Sequence, residues 1–364
     1  MKRRSLTGTV LLVSALSLTP QAHADTTWHS VASPFVPGGT LSDVAAVSST
    51  DAWVVGTYYH VGSTVFDYPL PVMQRWTGSG WRGYTLPNGL NQASLDAVAA
   101  TSANDAWATG RYSDANGLSH NWILRWNGTS WTSVPIPGSS DASAGTSSVD
   151  ARPGEVWVSY SLGFVYRLSN GTWTSTYPTD PDHEFRIARV RTSPSGATWI
   201  AGTHGHWEPS GWTYYPNAAQ WNGTTWVERP VTAWPDTAET LDILPLGPES
   251  VWAVGQSGPS RTPLLAHWDG STWHNTAVPT GVATLSALAP DGQGGAYASG
   301  KAADTEGAPA LLHLDAAGTW TRVQVPQSPG TWNADLTALS VAPNGSALWA
   351  TGTSKLGTLV MTNG

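Results

Sequence analysis

The stretch of residues 203–216, THGHWEPSGWTYYP, holds the side chains of this sequence that are best suited to chemistry. His204, His206 and Glu208 are spaced two residues apart, so an extended backbone places them on one face. Together with His183 and the acidic residues beside it, they could bind a metal ion or act as acid and base. A solvated polar loop has a similar composition, and no zinc-type spacing accompanies the histidines, so both interpretations stay open.

Aromatic side chains in this stretch and in other irregular segments could contact a ligand. A flat indole face suits a sugar ring or a protein contact, and an exposed tryptophan is unfavourable in water unless it meets such a partner. The alternative is that each ring folds back and fills its own loop. With His183, His204, His206 and Glu208, the candidate ligand-binding residues are Trp122, Trp207, Trp212, Tyr214, Trp234 and Trp332.

A repeated pattern indicates the elements that position these residues. Seven copies of a short motif are centred on an aromatic residue, and successive aromatics are 42 to 54 residues apart. This spacing is typical of a four-stranded propeller blade. The sequence therefore predicts an all-β fold, a seven-bladed β-propeller. The copies are DAWVVG at Asp51, DAWATG at Asp105, EVWVSY at Glu155, ATWIAG at Ala197, SVWAVG at Ser250, GAYASG at Gly295 and ALWATG at Ala347.

Each copy predicts four strands in a fixed order. A Leu-led apolar stretch forms the first strand, the aromatic motif the second, and a third strand leads through an Asn-Gly or Asp-Gly turn into a fourth. Asn-Gly favours a type I′ hairpin turn, in which both central residues have positive φ. The seventh copy stops after its third strand at LVMTNG, and residues 25–31, DTTWHSV, supply the missing fourth. We therefore expect the N-terminal strand to pair with the last strand and to close the ring.

The blade pattern resembles the repeats of bacterial secreted β-propeller proteins and, more loosely, those of tectonin-type propeller lectins. The similarity is carried by the aromatic second strand followed by the WNGTSW hairpin, and residues 156–173, VWVSYSLGFVYRLSNGTW, show it best. The tectonin resemblance implies sugar binding. The stretch WDGSTW at residues 268–273 also looks like the Asp-box of sialidases, although no sialidase arginine triad can be assigned.

The first 24 residues predict export. A basic start, an apolar run over residues 6–18 and an A-x-A site at residues 22–24 are typical of a secretory signal peptide cut before Asp25. We expect residues 25–364 to form a single propeller domain that is secreted and extracellular.

Composition restricts the partners. The chain has 17 Lys and Arg against 25 Asp and Glu, a net charge of -8, and no cysteine. An acidic surface disfavours nucleic acid and anionic membranes, and a chain without cysteine has no disulfide and no thiol nucleophile. We therefore expect a glycan or an extracellular protein as partner, no nucleic acid, no membrane insertion, and a monomer.

Known catalytic motifs do not stand out. No G-x-S-x-G elbow is present, and no G-x-G-x-x-G follows a strand and opens a helix, so the catalytic residues stay unassigned and no cofactor is expected. Acids for glycoside hydrolysis could come from the inner strands around the propeller channel. The alternative is that these acids are solvated channel residues. They are Asp43, Asp96, Asp150 and Asp242.

The loops between strands two and three, and those between successive blades, are long and irregular, whereas the opposite turns are short. Function favours variable loops on a rigid scaffold, so one face of the propeller is the expected binding face. The preferred interpretation is a secreted, lectin-like protein that recognises a glycan or polysaccharide with aromatic loops. The alternatives are an extracellular hydrolase or lyase that uses the blade-four histidines and acids or the channel carboxylates, and a protein interaction scaffold.

Overall fold

The computed structural model of the protein describes residues 28–32, 38–60, 68–87, 92–135, 145–178, 184–209, 211–304, 307–325, 333–343, 345 and 347–364. The predicted signal peptide, residues 1–24, lies outside this range, as do His183 and Trp332. Over the described residues the chain forms 28 β-strands in seven four-stranded sheets and no α-helix. That part of the chain accordingly contains no helix of the length and hydropathy needed to span a membrane.

The strands follow one another in the order expected from the repeat. Blades one to three are built from β2 (Thr40–Ser48), β3 (Asp51–His60), β4 (Tyr68–Trp76), β5 (Trp81–Gly83), β6 (Ala93–Ser102), β7 (Asp105–Ser113), β8 (Ser119–Trp126), β9 (Trp131–Ser133), β10 (Thr146–Arg152), β11 (Glu155–Tyr160), β12 (Val165–Ser169) and β13 (Thr172–Thr176). Blades four to six are built from β14 (Glu184–Thr192), β15 (Thr198–Glu208), β16 (Gly211–Trp221), β17 (Trp226–Glu228), β18 (Ala238–Gly247), β19 (Ser250–Ser257), β20 (Thr262–Trp268), β21 (Trp273–Thr276), β22 (Val282–Pro290), β23 (Ala296–Ala302), β24 (Pro309–Leu314) and β25 (Trp320–Arg322).

Blade seven is assembled from both ends of the described chain. Its strands are β26 (Asp335–Val341), β27 (Leu348–Ser354), β28 (Gly357–Thr362) and β1 (His29–Ser30). The outermost strand β1 is antiparallel to β28, and His29 is paired with Thr362. The predicted closure of a seven-bladed propeller by the N-terminal strand is thereby confirmed.

The repeated aromatic of each second strand packs between blades. Trp53 is fully buried and meets the third- and fourth-strand tryptophans of blade two, Trp126 and Trp131, at centroid distances of 5.2 and 5.0 Å. Equivalent ring contacts join most of the other seams, and Tyr297 of blade six packs in one cluster with Trp28. Burial of one such ring removes roughly 150–250 Å² from water, a gross gain of about 4–6 kcal/mol. The seven aromatics therefore form the core between blades.

An arginine on the third strand covers this aromatic in three blades. Arg75 is the cross-strand partner of Trp53, lies 5.0 Å from its ring, and binds the carboxylate of Asp51 through two nitrogens. The contact combines a cation–π interaction with a bidentate ion pair. Blades two and three repeat the cation–π contact with Arg125 over Trp107 and Arg167 over Trp157, and there each arginine contacts one oxygen of its carboxylate partner. In blades five and six, His267 and His313 take the arginine position beside the ring.

A bulge in every inner strand explains the glycine that ends six of the seven motifs. The register of each first strand shifts at the same place, between Leu95 and Ala97 in blade two for example. The bulge brings a carbonyl oxygen so close to the second strand that a Cβ on Gly110 would lie 2.0 Å from the oxygen of Ser94. Blade three has Tyr160 at this position. The six glycines are Gly56, Gly110, Gly202, Gly255, Gly300 and Gly352.

The Asn-Gly turns are of two kinds. At Asn170 and Gly171 both φ angles are positive, 50° and 75°, as a type I′ turn requires. In the turns that begin at Asn127 and Asn222 only the glycine has positive φ, so the type I′ prediction is wrong there. Each of these asparagines instead accepts two backbone N–H groups with its side-chain oxygen, and Asp269 does the same in the Asp-Gly turn. In these turns the hydrogen bonds from the Asn or Asp side chain thus stabilise the turn, and a second residue with positive φ is not needed.

Candidate functional site

The hairpin of β15 and β16 extends beyond the rest of blade four. Both strands have 11 residues, and the neighbouring inner strand β14 starts at Glu184, which is paired with Gly205. Beyond that pair, residues 206–208 are paired with residues 211–213, and with no others that the structure describes. The extension lies on the face of variable loops, and the hairpin carries six of the ten predicted site residues.

The β15–β16 hairpin and the start of β14 present an aromatic surface, which we call the blade-four platform and define as Glu184, Arg186, Trp207 and Tyr214. The Trp207 side chain is 59% exposed. Tyr214 donates its hydroxyl hydrogen to Glu184 Oε2 at 3.0 Å, and the Arg186 guanidinium lies 4.2 Å from the centre of its ring. Arg186 also donates to Glu184 Oε1 at 3.0 Å. These contacts hold the tyrosine ring before any ligand arrives.

The platform residues also keep the tyrosine hydroxyl protonated. Desolvation and the hydrogen bond to Glu184 raise the pKa of Tyr214 above its usual value, and the positive charge of Arg186 opposes them only in part. The hydroxyl therefore remains a donor at neutral pH. Trp212 is the register partner of Trp207, and its backbone belongs to the same extension.

The two central histidines of the predicted cluster occupy different environments. His204 is buried beside the rings of Phe185 and Tyr215, with Nδ1 at 3.1 Å from Glu228 Oε2. The Asn217 amide lies 3.2 Å from both groups. His206 is exposed. The structure thus pairs His204 with Glu228 and Asn217, and the side chain of Glu208 lies outside the described residues.

A metal centre built from these groups finds no support in the described residues. Over the residues that the structure describes, no group of three or more His, Asp or Glu side chains is arranged to hold a metal ion. For the acid–base interpretation, the structure shows the part-buried contact of His204 with Glu228. We therefore build the candidate site on the aromatic platform.

Two predicted rim tryptophans are core residues. Trp122 is buried in the cluster between blades one and two, packs against Tyr112, and donates its Nε1 hydrogen to Ser133 Oγ at 2.9 Å. Trp234 is buried against Gly255, where a Cβ would lie 2.6 Å from the indole. The expectation that these two rings are exposed to a ligand is therefore wrong, because each fills a space beside a neighbouring strand.

The channel acids act between blades. Asp43 accepts the backbone N–H of Val98 in the next blade at 3.1 Å. Asp150 and Asp242 make the equivalent contact with the N–H groups of Thr192 and Leu288, at 2.7 and 2.9 Å. Each carboxylate thus links the inner strand of its blade to that of the following blade. These contacts give the three carboxylates a structural role between blades.

Two arginines of blade four complete this network. Arg191 donates to Asp242 Oδ2 at 3.3 Å, and Arg189 lies 3.7 Å from Asp43 Oδ2. Burial opposes the charge of Arg191, but Asp242, Asp43 and Asp150 outweigh it and raise the pKa of the guanidinium. Beside this network the channel holds a cavity of about 440 Å³ lined by all seven inner strands. Three channel carboxylates therefore share two guanidinium groups.

Arg186 and Glu228 are site residues that sequence reasoning missed. Arg186 follows Glu184 at a spacing of two in EFR, which on a strand predicts one shared face, and this signal was available. Glu228 lies 24 residues from His204, and no local pattern joins them.

The comparisons with known proteins agree on the fold. No protein-family model matches the sequence, and no curated protein matches it. The solved structure titled "YCF48 bound to D1 peptide" is similar with a TM-score of 0.59 and 18% identity over 92% of this chain and 96% of that one. The WD40 β-propeller domain of Doa1 has a TM-score of 0.56 and 12% identity over 89% and 93% of the two chains.

Enzymes are also among the similar structures. The GH74 xyloglucanase from Xanthomonas campestris has a TM-score of 0.55 and 16% identity, and the match covers 89% of this chain and 53% of that one. At such identities the similarity shows a propeller fold and nothing narrower. Binding and hydrolysis are both compatible with it.

Proposed function

We propose that this protein is a secreted, extracellular binding protein that recognises a glycan or polysaccharide through the blade-four platform. The observation that carries the proposal is the exposed Trp207, whose register partner Trp212 is two residues from Tyr214 on β16, the tyrosine that Glu184 and Arg186 hold in place. An indole with this exposure gains most from a flat apolar partner, and the C–H face of a sugar ring is such a partner.

The polar groups of the platform suit the rest of a sugar. Glu184 offers carboxylate oxygens and Arg186, whose side chain is exposed, offers N–H donors at the edge of the aromatic surface. Ligand sites of this type combine apolar faces with a few fixed polar groups that set orientation. Because Tyr214 is ordered in advance, little side-chain entropy is lost on binding.

Two further observations support this function. The N-terminal sequence is typical of an export signal, which would bring the protein to extracellular glycans. The similar structures include a xyloglucanase and a sialidase, whose names denote action on glycans, on the same fold. For hydrolysis Asp43, Asp150 and Asp242 offer no comparable support, since they bind backbone N–H groups of adjacent blades.

The test is binding of the chain without its first 24 residues to a panel of soluble glycans and insoluble polysaccharides, with and without chelator. We expect binding that chelator leaves unchanged and that free sugar competes. Trp207→Ala and Tyr214→Ala should each weaken it at least about tenfold, which corresponds to about 1.4 kcal/mol. Tyr214→Phe keeps the ring and should lose less.

The matched control is Leu356→Ala, which removes an apolar side chain that is 73% exposed in the corresponding hairpin of blade seven. It should bind as wild type does. Absence of binding to every glycan would refute the proposal and favour a protein partner, as would binding that free sugar does not compete. Binding that both platform variants retain would place the glycan site elsewhere.

A further inference from the structure

A second cavity lies between blades one and two, away from the blade-four platform. Its volume is about 380 Å³, within the range of small-ligand sites. It is lined by the start of β2, the end of β3 and the start of β4 in blade one, and by β6, β7 and the start of β8 in blade two. The cavity therefore opens among the variable loops, on the same face as the platform.

One wall of the cavity carries a carboxylate on a bulge. Asp96 is the extra residue between Leu95 and Ala97, where the register of β6 shifts. Thr146 at the start of blade three donates its hydroxyl to Asp96 Oδ2 at 3.0 Å. Burial raises the pKa of Asp96, while Thr146 and the charge of Arg111 act in the opposite direction. In the described part of the chain, Oδ1 accepts no hydrogen bond.

A guanidinium lines the same cavity and acts on this carboxylate through its charge. Arg111 is exposed and lies against Gly145, where a Cβ would be 3.1 Å from Arg111 Cζ, so the missing side chain leaves room for it. Within the described residues Arg111 forms no ion pair at contact distance and no hydrogen bond through its side chain. The pair is electrically neutral while Asp96 is ionised, and both groups retain hydrogen-bonding capacity.

Tyrosines form other parts of the lining. The Tyr59 side chain is 54% exposed. Tyr112 is fixed by stacking on His120, at a centroid distance of 5.1 Å and 29° between the planes, and by the edge of Trp122. His120 is in turn held by Asp114 at 3.2 Å. The cavity thus combines rigid aromatic surface with one acceptor and one donor group.

We propose that this cavity binds a neutral polyhydroxylated ring, such as a terminal sugar residue or a cyclitol. One hydroxyl would donate to Asp96 Oδ1 and a neighbouring hydroxyl would accept from Arg111, while the C–H face lies against tyrosine. A uronate or an amino sugar could pair with only one of the two groups and would leave a net charge in the cavity, so charged rings bind less well. The proposal stands independently of glycan binding at blade four.

The test is calorimetric titration and ligand-observed NMR of the full chain with methyl glucoside, methyl galactoside, methyl mannoside and myo-inositol. Glucuronate and glucosamine serve as charged probes. We expect at least one neutral ring to bind at millimolar concentration or below, and tighter than both charged rings. Asp96→Asn and Arg111→Gln should each weaken that binding about tenfold, because each removes a charge-assisted hydrogen bond.

Two variants separate local from general effects. Asp335→Asn is the matched control, because Asp335 is also partly buried and also accepts a threonine hydroxyl from an adjacent blade, Thr284 at 3.4 Å, yet it does not line the cavity. Trp207→Ala removes the exposed indole of the blade-four platform. Both should bind the ring as wild type does. Failure of every neutral ring to bind would overturn the proposal, as would binding unchanged in Arg111→Gln, equal loss in Asp335→Asn, or tighter binding of a charged ring.

Discussion

The position of a single missing Cβ atom has large consequences in this fold. At Gly110 the second strand passes the bulged carbonyl of Ser94 so closely that no side chain fits. Neither partner can move cheaply, because both belong to paired strands of one sheet. The glycine that ends the repeated motif is therefore a requirement of the bulge.

We expect Gly110→Ala to lower the free energy of unfolding by at least about 3 kcal/mol, since the clash involves backbone and must displace a strand. Chemical denaturation of purified protein measures this. Gly83→Ala is the control, because a Cβ there meets nothing within 4 Å and φ is not in the left-handed region. An alanine at position 110 that is tolerated as well as the one at position 83 would show that the bulge can relax.

Two aspartates should respond to pH with opposite signs. Burial raises the pKa of Asp335, with Thr284 and Lys301 opposing. The contribution of Asp335 to stability is complete at a pH below its pKa in the unfolded chain. It is lost as the pH rises through its higher pKa in the folded protein. Asp335→Asn should therefore melt at a higher temperature than wild type near pH 8, and the difference should vanish as the pH is lowered towards the ordinary aspartate pKa.

Asp269 provides the contrast. Backbone and hydroxyl donors of Thr272 and Ser271 lower the pKa of its carboxylate, so its contribution is present above the unfolded pKa and is lost as pH falls through the folded pKa. Asp269→Asn should melt below wild type at neutral pH and converge with it in strong acid. The measurement is the melting temperature of both variants and of wild type over one pH series. If both variants differed from wild type with the same sign, the opposite pKa shifts of the two aspartates would be contradicted.

At the scale of elements, the second and third strands of a blade are joined by more than their backbone ladder. Arg75 lies over the buried Trp53 and binds Asp51, so one side chain satisfies an ion pair and covers an indole. Arg125 makes the same pair of contacts in blade two, but its side chain is 50% exposed against 13% for Arg75. Water therefore screens the blade-two contact more strongly.

Arg75→Ala should cost about 1–3 kcal/mol of stability, and Arg125→Ala less than about 1 kcal/mol. Arg75→Lys should recover only part of the loss, because an ammonium group cannot form the bidentate pair. Denaturant titration of the three variants measures the order. Equal costs for the two alanine variants would mean that exposure does not govern the contact.

For the whole molecule, the decisive contact joins the two ends of the described chain. Trp28 is buried in the cluster of blades six and seven, and β1 covers the outer edge of β28. Without it, blade seven would have three strands and an unpaired edge.

Removal of residues 25–31 should therefore give insoluble protein or one that melts well below wild type. Sedimentation and thermal melting provide the measurement. Trp28→Ala keeps the strand and removes the ring. The variant should therefore remain soluble, and its free energy of unfolding should fall by about 3–5 kcal/mol. A truncated chain that is soluble and equally heat-resistant would show that β1 does not close the ring.

The sequence predicted those features that repeat. A single sequence shows its own periodicity, and this predicted the seven aromatics at blade spacing and the strand order. It also shows that the last repeat lacks a fourth strand, and this predicted the closing strand. The burial of Trp122 and Trp234 was not predictable in this way, because each ring fills a space made by other strands. The same limit applies to Asp43, whose hydrogen-bond partner Val98 is 55 residues away.

The closing seam also determines how the protein responds to force. β1 and β28 are antiparallel, and His29 lies beside Thr362 at the ends of the two strands. A pull that separates residue 28 from residue 364 would load the His29 pair first and the Ser30 pair next, so that the pairs break one after another. A chain tethered at both ends would then open at this seam under low tension, while blades one to six keep their strands and the blade-four platform intact.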